Sequence, residues 1–343
     1  MITTIHPGSY TTVQDEGRWG YQAFGMPVAG VMDHYAARIA NLLAGNKPSA
    51  AVLEMTMKGG HFRFEQDSCA AVCGADMQAK LNGAPVQNWS SFIIPAGSEL
   101  TFDYAADGCR TYLAVTGGID VPVVLGSRST YTRGAVGGVE GRALKAGDML
   151  PVGTDNEYAA QARELAREFV PVYGEHIALR ALLGPQDDHF TAAGIQTLFN
   201  STYTISTEAD RMGYRLEGNA IQHHDKADII SDALCLGTIQ VPGNGLPIVM
   251  MADRQTTGGY TKIGTVIGPD LVHLAQAKPG DTLAFQFCSE EEARAAFFAE
   301  QQAYKRIRDS VLAGSEDNTA GPVRHLRVTV NNQVFHVNIR EVK

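Results

Sequence analysis

The chain has 343 residues, 44% of them hydrophobic and 19% charged, with a formal net charge of −9 and a pI near 5.6. This length favours two domains of ordinary size with cores that need no staples, and an acidic chain without a basic run is a poor fit to nucleic acid. No apolar run approaches the ~18 residues needed to span a bilayer, and the opening MITTIHPGSY has neither the basic nor the apolar region of a signal peptide. The five cysteines, an odd number without framework spacing, fit a reducing cytoplasm, with Cys69 and Cys73 as small buried hydrophobes.

The first 20 residues read as a short strand, a Pro7-Gly8 turn and the stretch TTVQDEGRWG, which sets Gln14, Asp15 and Arg18 beside Gly17 and Gly20. Asp15 would fit equally as a cap on backbone N–H groups in a turn. A helix is predicted over residues 32–45, with Asp33 as N-cap, Gly45 just past the end, and Ala36, Ile39, Ala40 and Leu43 at core-facing spacing. His34, Arg38 and Asn41 share another face, toward solvent or toward a site. From 51 to 150 short strands alternate with turns, over 53–56, 61–64, 70–72, 78–81, 92–94, 100–104 and 110–115. Asn82-Gly83 marks a hairpin, and the spacing fits a barrel or sandwich. The high glycine content, 36 residues, points the same way. LGSRSTYTRGAVGGVEGRALKAGD then interleaves Gly134, Gly137, Gly138 and Gly141 with Arg128, Arg133 and Arg142. Backbone N–H groups and guanidinium forks of this kind hold phosphate, although the P-loop pattern is absent and a structural loop has the same composition.

Residues 153–170 are polar and mark the domain boundary. The second half begins with an apolar run at 177–183, and a helix is predicted over 187–199. His223-His224-Asp225 reads as a surface loop, because adjacent side chains in an extended segment point opposite ways and no fourth metal ligand is evident. The run 247–251 reads as a buried strand, followed by DRQTTGGYTKIGTVIGPD. Asp253, Arg254, Gln255, Thr256, Thr257, Gly258, Gly259 and Tyr260 bring charge, amide, hydroxyl and phenol together before a return strand at 263–267. The glycines would permit φ > 0 or close approach of a ligand; a solvated hairpin end would carry the same residues. Ser289 and Glu292 form a capping box for a long helix whose stripe Phe297, Tyr304, Ile307 and Val311 is predicted to pack on the barrel. SEDNTAGP at 315–322 is linker-like, and the tail alternates as a hairpin around Asn331-Asn332.

Seven of these stretches, in order, resemble the family of the 5-oxoprolinase C-subunit, also called KipA-like or allophanate hydrolase subunit 2-like and counted among biotin-dependent carboxyltransferases. They are TTVQDEGRWG, MDHYAARIANLLAGN, LEMT, YLAVTGGIDVPVVLGSRST, GGVEGR, DRMGYRL and ADRQTTGGYTKIGTVIGPDLVHLAQAKPGD. Thr261 departs from the family pattern, which has Pro there. The resemblance implies a mainly β fold with flanking helices and tandem cyclophilin-like β-barrel domains. The expected units are a first barrel at 1–152, a linker at 153–174, a second barrel at 175–288, a helix at 289–314 and a linker with hairpin at 315–343. The tail resembles the start of a biotinyl carrier domain, but no biotin-accepting Lys follows, so covalent biotin on this chain is not expected.

The resemblance also implies two partners, one the KipI-like B-subunit of 5-oxoprolinase, the other its LamB/YcsF-like A-subunit. It implies ATP-dependent opening of 5-oxoproline to glutamate, with ATP and Mg shared with a partner. A biotin-dependent carboxyltransferase acting on urea or another small amide is the alternative. A regulatory protein that antagonises a KipI-like kinase inhibitor is a third, non-catalytic one. Urea, the biotin ring and 5-oxoproline share a planar N–C=O group, which calls for a carboxylate facing N–H and cationic donors facing oxygen. Asp253, Arg254, Asp15 and Arg18 are the catalytic candidates. Gln14, Gln255, Thr256, Thr257, Gly258, Gly259, Tyr260 and Asn41 are the substrate-binding candidates, and Arg128, Gly137, Gly138 and Arg142 the phosphate-binding ones. No metal site is expected.

Overall fold

The computed structural model describes residues 1–154 and 161–316, together with the strands Arg324–Val330 and Gln333–Ile339. Part of the expected 153–174 linker, most of SEDNTAGP and the Asn331-Asn332 turn lie outside the described residues.

The first half is built from two six-stranded sheets. One runs Met149–Leu150, Ile2–His6, His61–Phe64, Glu99–Thr101, Lys80–Leu81 and Ala84–Pro85, with Asn82 and Gly83 at φ 50° and 84° in its tight hairpin. The other runs Arg163–Glu164, Ser90–Ile94, Ser68–Asp76, Asp107–Val115, Val52–Thr56 and Tyr10–Gln14. Side chains alternate across a strand. Leu53, Met55, Val72, Leu113 and Val115 therefore enter a core shared with Phe62 and Phe64 of the first sheet, while Ala71, Cys73, Tyr112 and Ala114 face the other way. Helix α1 (His34–Leu43) covers that second face with Ala36, Ile39, Ala40 and Leu43, so the sheet is buried on both sides. Its start and end follow the predicted caps: the Asp33 carboxylate accepts from the Ala36 N–H at 2.9 Å, and Gly45 lies at φ 82°. The first half thus carries two packed sheets that share one core; among the described residues no ladder joins them.

The second half is a closed barrel. Seven strands run His176–Leu183, Thr282–Phe287, Thr202–Ile205, Gly213–Glu217, Ile248–Met250, Thr238–Val241 and Thr257–Val266, and the last pairs back with the first. Asp228–Ala233 adds an outer edge to Thr257–Val266. Leu179, Tyr203, Ile239, Val249, Ile263 and Phe285 fill the interior. Met32, from the first half, packs into the same cluster.

Three local expectations are corrected. The predicted 187–199 helix is a 3-10 turn at Asp187–His189 followed, after extended Phe190, by helix α2 (Ala192–Asn200), because the Thr191 hydroxyl accepts from the Gly194 N–H at 2.9 Å and starts a separate helix. Residues 257–260 are not a loop but the start of a ten-residue strand. Gly258 serves close packing rather than positive φ, since a Cβ there would come within 2.5 Å of the Gln240 amide nitrogen. Thr261 likewise has a positive use: its N–H donates to the Ala227 carbonyl at 2.9 Å, a bond proline would lack.

A short helix α3 (Leu271–Ala275) follows the barrel's closing strand and leads to Gln276 at the junction of the halves. Helix α4 (Glu290–Glu316) begins with the predicted capping box, Ser289 N–H to Glu292 Oε2 at 2.8 Å and Glu292 N–H to Ser289 Oγ at 3.3 Å. Its buried residues Ile307 and Val311 pack with α1 and not inside the barrel. The hairpin strands Arg324–Val330 and Gln333–Ile339 pair antiparallel, Val330 opposite Gln333. No helix among the described residues is long and apolar enough to cross a membrane.

Candidate functional site

The strand Ile248–Met250 delivers Met251–Arg254 to the seam between the halves, where the Met251 and Asp253 N–H groups bond to the carbonyls of Met212 and Arg211 at 2.8 Å each. Asp210 shapes that opposing loop by accepting from the N–H groups of Met212 and Gly213 at 2.8 and 3.2 Å. The geometry sends Arg211 inward. Its guanidinium holds Asp253 in a two-pronged pair at 2.8 and 3.0 Å, donates to the Gly30 carbonyl at 2.6 Å and contacts the Glu54 carboxylate. Glu54 also accepts from Met32 N–H at 2.8 Å and from the Tyr112 hydroxyl at 2.9 Å. Burial works against the charge on Arg211, but the carboxylates of Asp253 and Glu54 more than offset it and hold the pKa above its ordinary value.

A second knot lies beside it. The Gln276 carbonyl oxygen accepts from the N–H groups of Cys109 and Arg110 at 3.1 and 2.8 Å, while its amide nitrogen donates to Asp33 at 2.8 Å and to the Arg110 carbonyl at 2.9 Å. Arg110 donates to the Tyr214 hydroxyl at 2.6 Å. The two halves are therefore joined by buried, directional polar groups as well as by Met32.

This changes the reading of Asp253 and Arg254. Both are buried and both are engaged: Asp253 by Arg211, and Arg254 by the carbonyls of Leu234 and Met251 at 3.3 Å each. Asp253 is held in the seam by Arg211, and Arg254 is spent on carbonyls of the second half, so neither offers a free acid–base group. Asp15 is also internally satisfied, accepting from Gly17 N–H at 2.9 Å, Ser127 Oγ at 2.6 Å, Arg128 N–H at 2.6 Å and Ser129 Oγ at 2.5 Å. It organises the 127–129 loop. Asn41 is a brace, donating to the carbonyls of Pro48 and Ala50 at 3.2 and 2.8 Å.

The remaining candidates give the seam its chemistry. Arg18 is fully buried and donates to the carbonyls of Val124 and Ser129 at 2.9 and 2.8 Å, yet its Nη1 has no partner. Burial lowers its pKa, against the pull of Asp15 and Asp253, which places the Gln14–Arg18 stretch within electrostatic reach of the Asp253 stretch. Gln14 donates to Thr12 and to the Thr130 carbonyl at 3.0 Å each, leaving its buried carbonyl oxygen without a donor. The Gln255 carbonyl oxygen is buried and unpartnered as well. Buried polar atoms without partners are costly, and the one on Gln255 marks a place for a polar ligand or water.

A cavity of about 340 Å³ opens here, lined by Arg133 from the first half and by Asp210, Arg215, Gln240, Gln255 and Tyr260 from the second. Arg133 bridges to Asp210 across it at 2.9 Å. Met212, Ile248 and Met250 supply an apolar wall. Tyr10 and Tyr131 sense Asp253 nearby; burial raises both phenol pKa values, so both remain protonated donors. Thr256 gives its carbonyl to Leu234 N–H at 3.0 Å, and Thr257 and Gly258 pair with Ala233 and Asp232 in the outer ladder, with Gly259 half-buried between Gly258 and Tyr260.

Over residues 24–287 the sequence matches the family described as carboxyltransferase domain, subdomain A and B. The chain belongs to that family. It is similar to the 5-oxoprolinase C-subunit of Escherichia coli (strain K12), 41% identical over 309 residues that cover 90% of this chain and 97% of the relative. The same-named protein of Haemophilus influenzae is 36% identical over 293 residues, 85% and 93% of the two chains. Among solved structures, the K. lactis urea amidolyase superposes with a TM-score of 0.81 at 30% identity, covering 85% of this chain and 19% of that one. The chain thus spans nearly all of each 5-oxoprolinase relative but about a fifth of the urea amidolyase.

In this carboxyltransferase-family chain the arginines read as phosphate ligands have other partners. Arg128 donates to Asp120 at 2.6 Å and to the Val121 carbonyl at 2.9 Å. Arg142 makes a two-pronged pair with Asp148 at 2.7 and 3.0 Å. Gly137 and Gly138 lie at φ 71° and 53°, and their loop is closed by Gly138 N–H to the Arg128 carbonyl at 2.9 Å and Gly141 N–H to the Gly137 carbonyl at 2.8 Å. A Cβ on Gly138 would overlap the Thr130 hydroxyl at 1.9 Å, so glycine is required there by packing. This loop does not fit a phosphate cradle.

Glu54, Arg211, Tyr10, Tyr131 and Arg215 were not foreseen as site residues. Glu54 and Arg211 lie in the quoted stretches LEMT and DRMGYRL, but a Glu between Leu53 and Met55 looks outward in a strand pattern, and that face is covered only when α1 with the preceding Met32 and Arg211 of the second half pack over it. The phenols carry no local signal at all. His223, in the His-His-Asp run, stacks on Phe190 at 4.5 Å and contacts the Thr261 hydroxyl at 3.0 Å.

Proposed function

We propose that the chain is the C-subunit of an ATP-dependent 5-oxoprolinase, working in the cytoplasm with two partners, one KipI-like and one LamB/YcsF-like. The observation that carries this is the similarity to the 5-oxoprolinase protein of the same kind from Escherichia coli, along nearly the full length of both chains. The seam cavity supports it chemically. A lactam presents one N–H and one carbonyl in a plane, and the cavity offers the unpartnered Gln255 oxygen to the first and the Tyr260 phenol as a donor to the second. The apolar wall of Met212, Ile248 and Met250 suits ring methylenes. An unstrained lactam has a poor leaving group, and ATP supplies the driving force for opening it. Arg128 and Arg142 are engaged with carboxylates, which supports a nucleotide and Mg shared with, and held chiefly by, a partner protein of the complex. This chain binds and orients the lactam.

The match to urea amidolyase supports a second reading, transfer of a carboxyl group to urea or another small amide. One experiment separates the two: co-purification with the genomic neighbours, then ATP hydrolysis measured with 5-oxoproline or with urea and bicarbonate. Hydrolysis stimulated by 5-oxoproline without bicarbonate is expected. Stimulation only by urea with bicarbonate, together with a biotinylated partner, overturns it. A stable complex without turnover on either substrate points to a regulatory binding protein.

A further inference from the structure

The seam cavity contains two arginines, and the lactam contacts above use neither. Arg133 is as exposed as Arg215, at 59%, but its partner Asp210, 2.9 Å away, is fixed in place by the backbone N–H groups of Met212 and Gly213. Arg215 is different. Its ion-pair partner is Glu208 at 3.2 Å, and both side chains are more than half exposed, at 56% and 73%. Exposed pairs of this kind contribute little and exchange readily. A free carboxylate entering the cavity would meet a guanidinium whose present partner is easily displaced, with Glu208 turning out to water. We propose that Arg215 is the carboxylate anchor of the cavity, and that it makes the cavity selective for a small lactam or amide bearing a carboxylate next to its N–H, with Gln255 accepting from that N–H.

The proposal rests on the lactam reading and deepens it. The cavity's residues span the features of such a ligand: a cation for the carboxylate at Arg215, a buried unpartnered acceptor for the N–H at Gln255, and an apolar wall for the ring. Urea offers no carboxylate and would leave Arg215 paired with Glu208.

The test uses the full three-protein complex and compares 5-oxoproline with 2-pyrrolidinone, the same ring without the carboxylate, as competing ligand. Arg215→Ala should raise KM for 5-oxoproline about tenfold or more, the scale of a lost charge-assisted hydrogen bond, with little change in kcat and none in the 2-pyrrolidinone inhibition constant. Glu208→Gln, a conservative change on an exposed side chain, should lower KM for 5-oxoproline by freeing the anchor. Turnover with unchanged KM in both variants overturns the anchor alone. Equal weakening of both ligands by Arg215→Ala, or a fall in kcat at unchanged KM, also overturns it, since a structural role would act that way. A wild-type complex with no 5-oxoproline-dependent ATP hydrolysis overturns the functional reading and the anchor with it.

Discussion

Replacing Arg211 with Met tests the seam directly. The guanidinium faces two carboxylates, Glu54 from the first half and Asp253 from the second, both almost fully buried. Met keeps much of the apolar stem and removes the charge. Two carboxylates are then left facing each other without a cation or their hydrogen-bond donors. Breaking a buried pair in this way costs about 3–5 kcal/mol, far above the ~1 kcal/mol of an exposed pair. The linkage sign is that of carboxylates made harder to ionise: protonating one of them relieves the repulsion, so the deficit of Arg211→Met relative to wild type should shrink as pH falls. Urea denaturation followed by fluorescence at neutral and mildly acidic pH measures both quantities. A second variant with Glu54→Gln added should recover part of the loss, because it removes one of the stranded charges. A deficit of about 1 kcal/mol or less at neutral pH, or one that does not change on acidification, would refute the view that Arg211 locks the two halves.

Asp253→Asn should lower stability by about 1.5–3 kcal/mol through the lost charge-assisted bonds, while kcat per folded complex stays near wild type; a large fall in kcat at normal stability restores it as a catalytic group. Burial pushes the Asp33 carboxyl from its ordinary 3.8 up to about 6, against its bonds from Ala36 and Gln276. The folded state therefore holds this proton more tightly, and its contribution, present below pH 3.8, is lost as pH rises to about 6, a span worth about 3 kcal/mol. Asp33→Asn should flatten the stability profile across that window, as read by denaturation midpoints from pH 4 to 6.5; an unchanged slope refutes the assignment. His34, lowered to about 4 mainly by burial, acts with the opposite sign, so His34→Gln should make the profile steeper in Asp33's direction. Asp15→Ala strands four donors and should cost about 2–3 kcal/mol, with faster hydrogen exchange at Arg128 as the local readout.

Much of this protein follows from order along the chain alone. The cap, stripe and stop of helix α1, the Asn82-Gly83 hairpin, the Ser289–Glu292 capping box and the β-rich character are local, because they depend on side chains bonding to their own neighbours in sequence. Residue density also singled out the Asp253–Tyr260 stretch and, as a second set, Gln14, Asp15 and Arg18. What each residue does there was beyond local reasoning. Asp253 looks like a free carboxylate in the sequence, and Asp15 like either a free group or a turn cap; Arg211, 42 residues away, fixes the first, while Ser127, Arg128 and Ser129, more than 110 away, join the Gly17 N–H in fixing the second. Whether a polar side chain is free or spent depends on what faces it from another element. That is set by packing of the two halves, and so the division between residues that hold the seam and residues that line its cavity was decided by the tertiary structure alone.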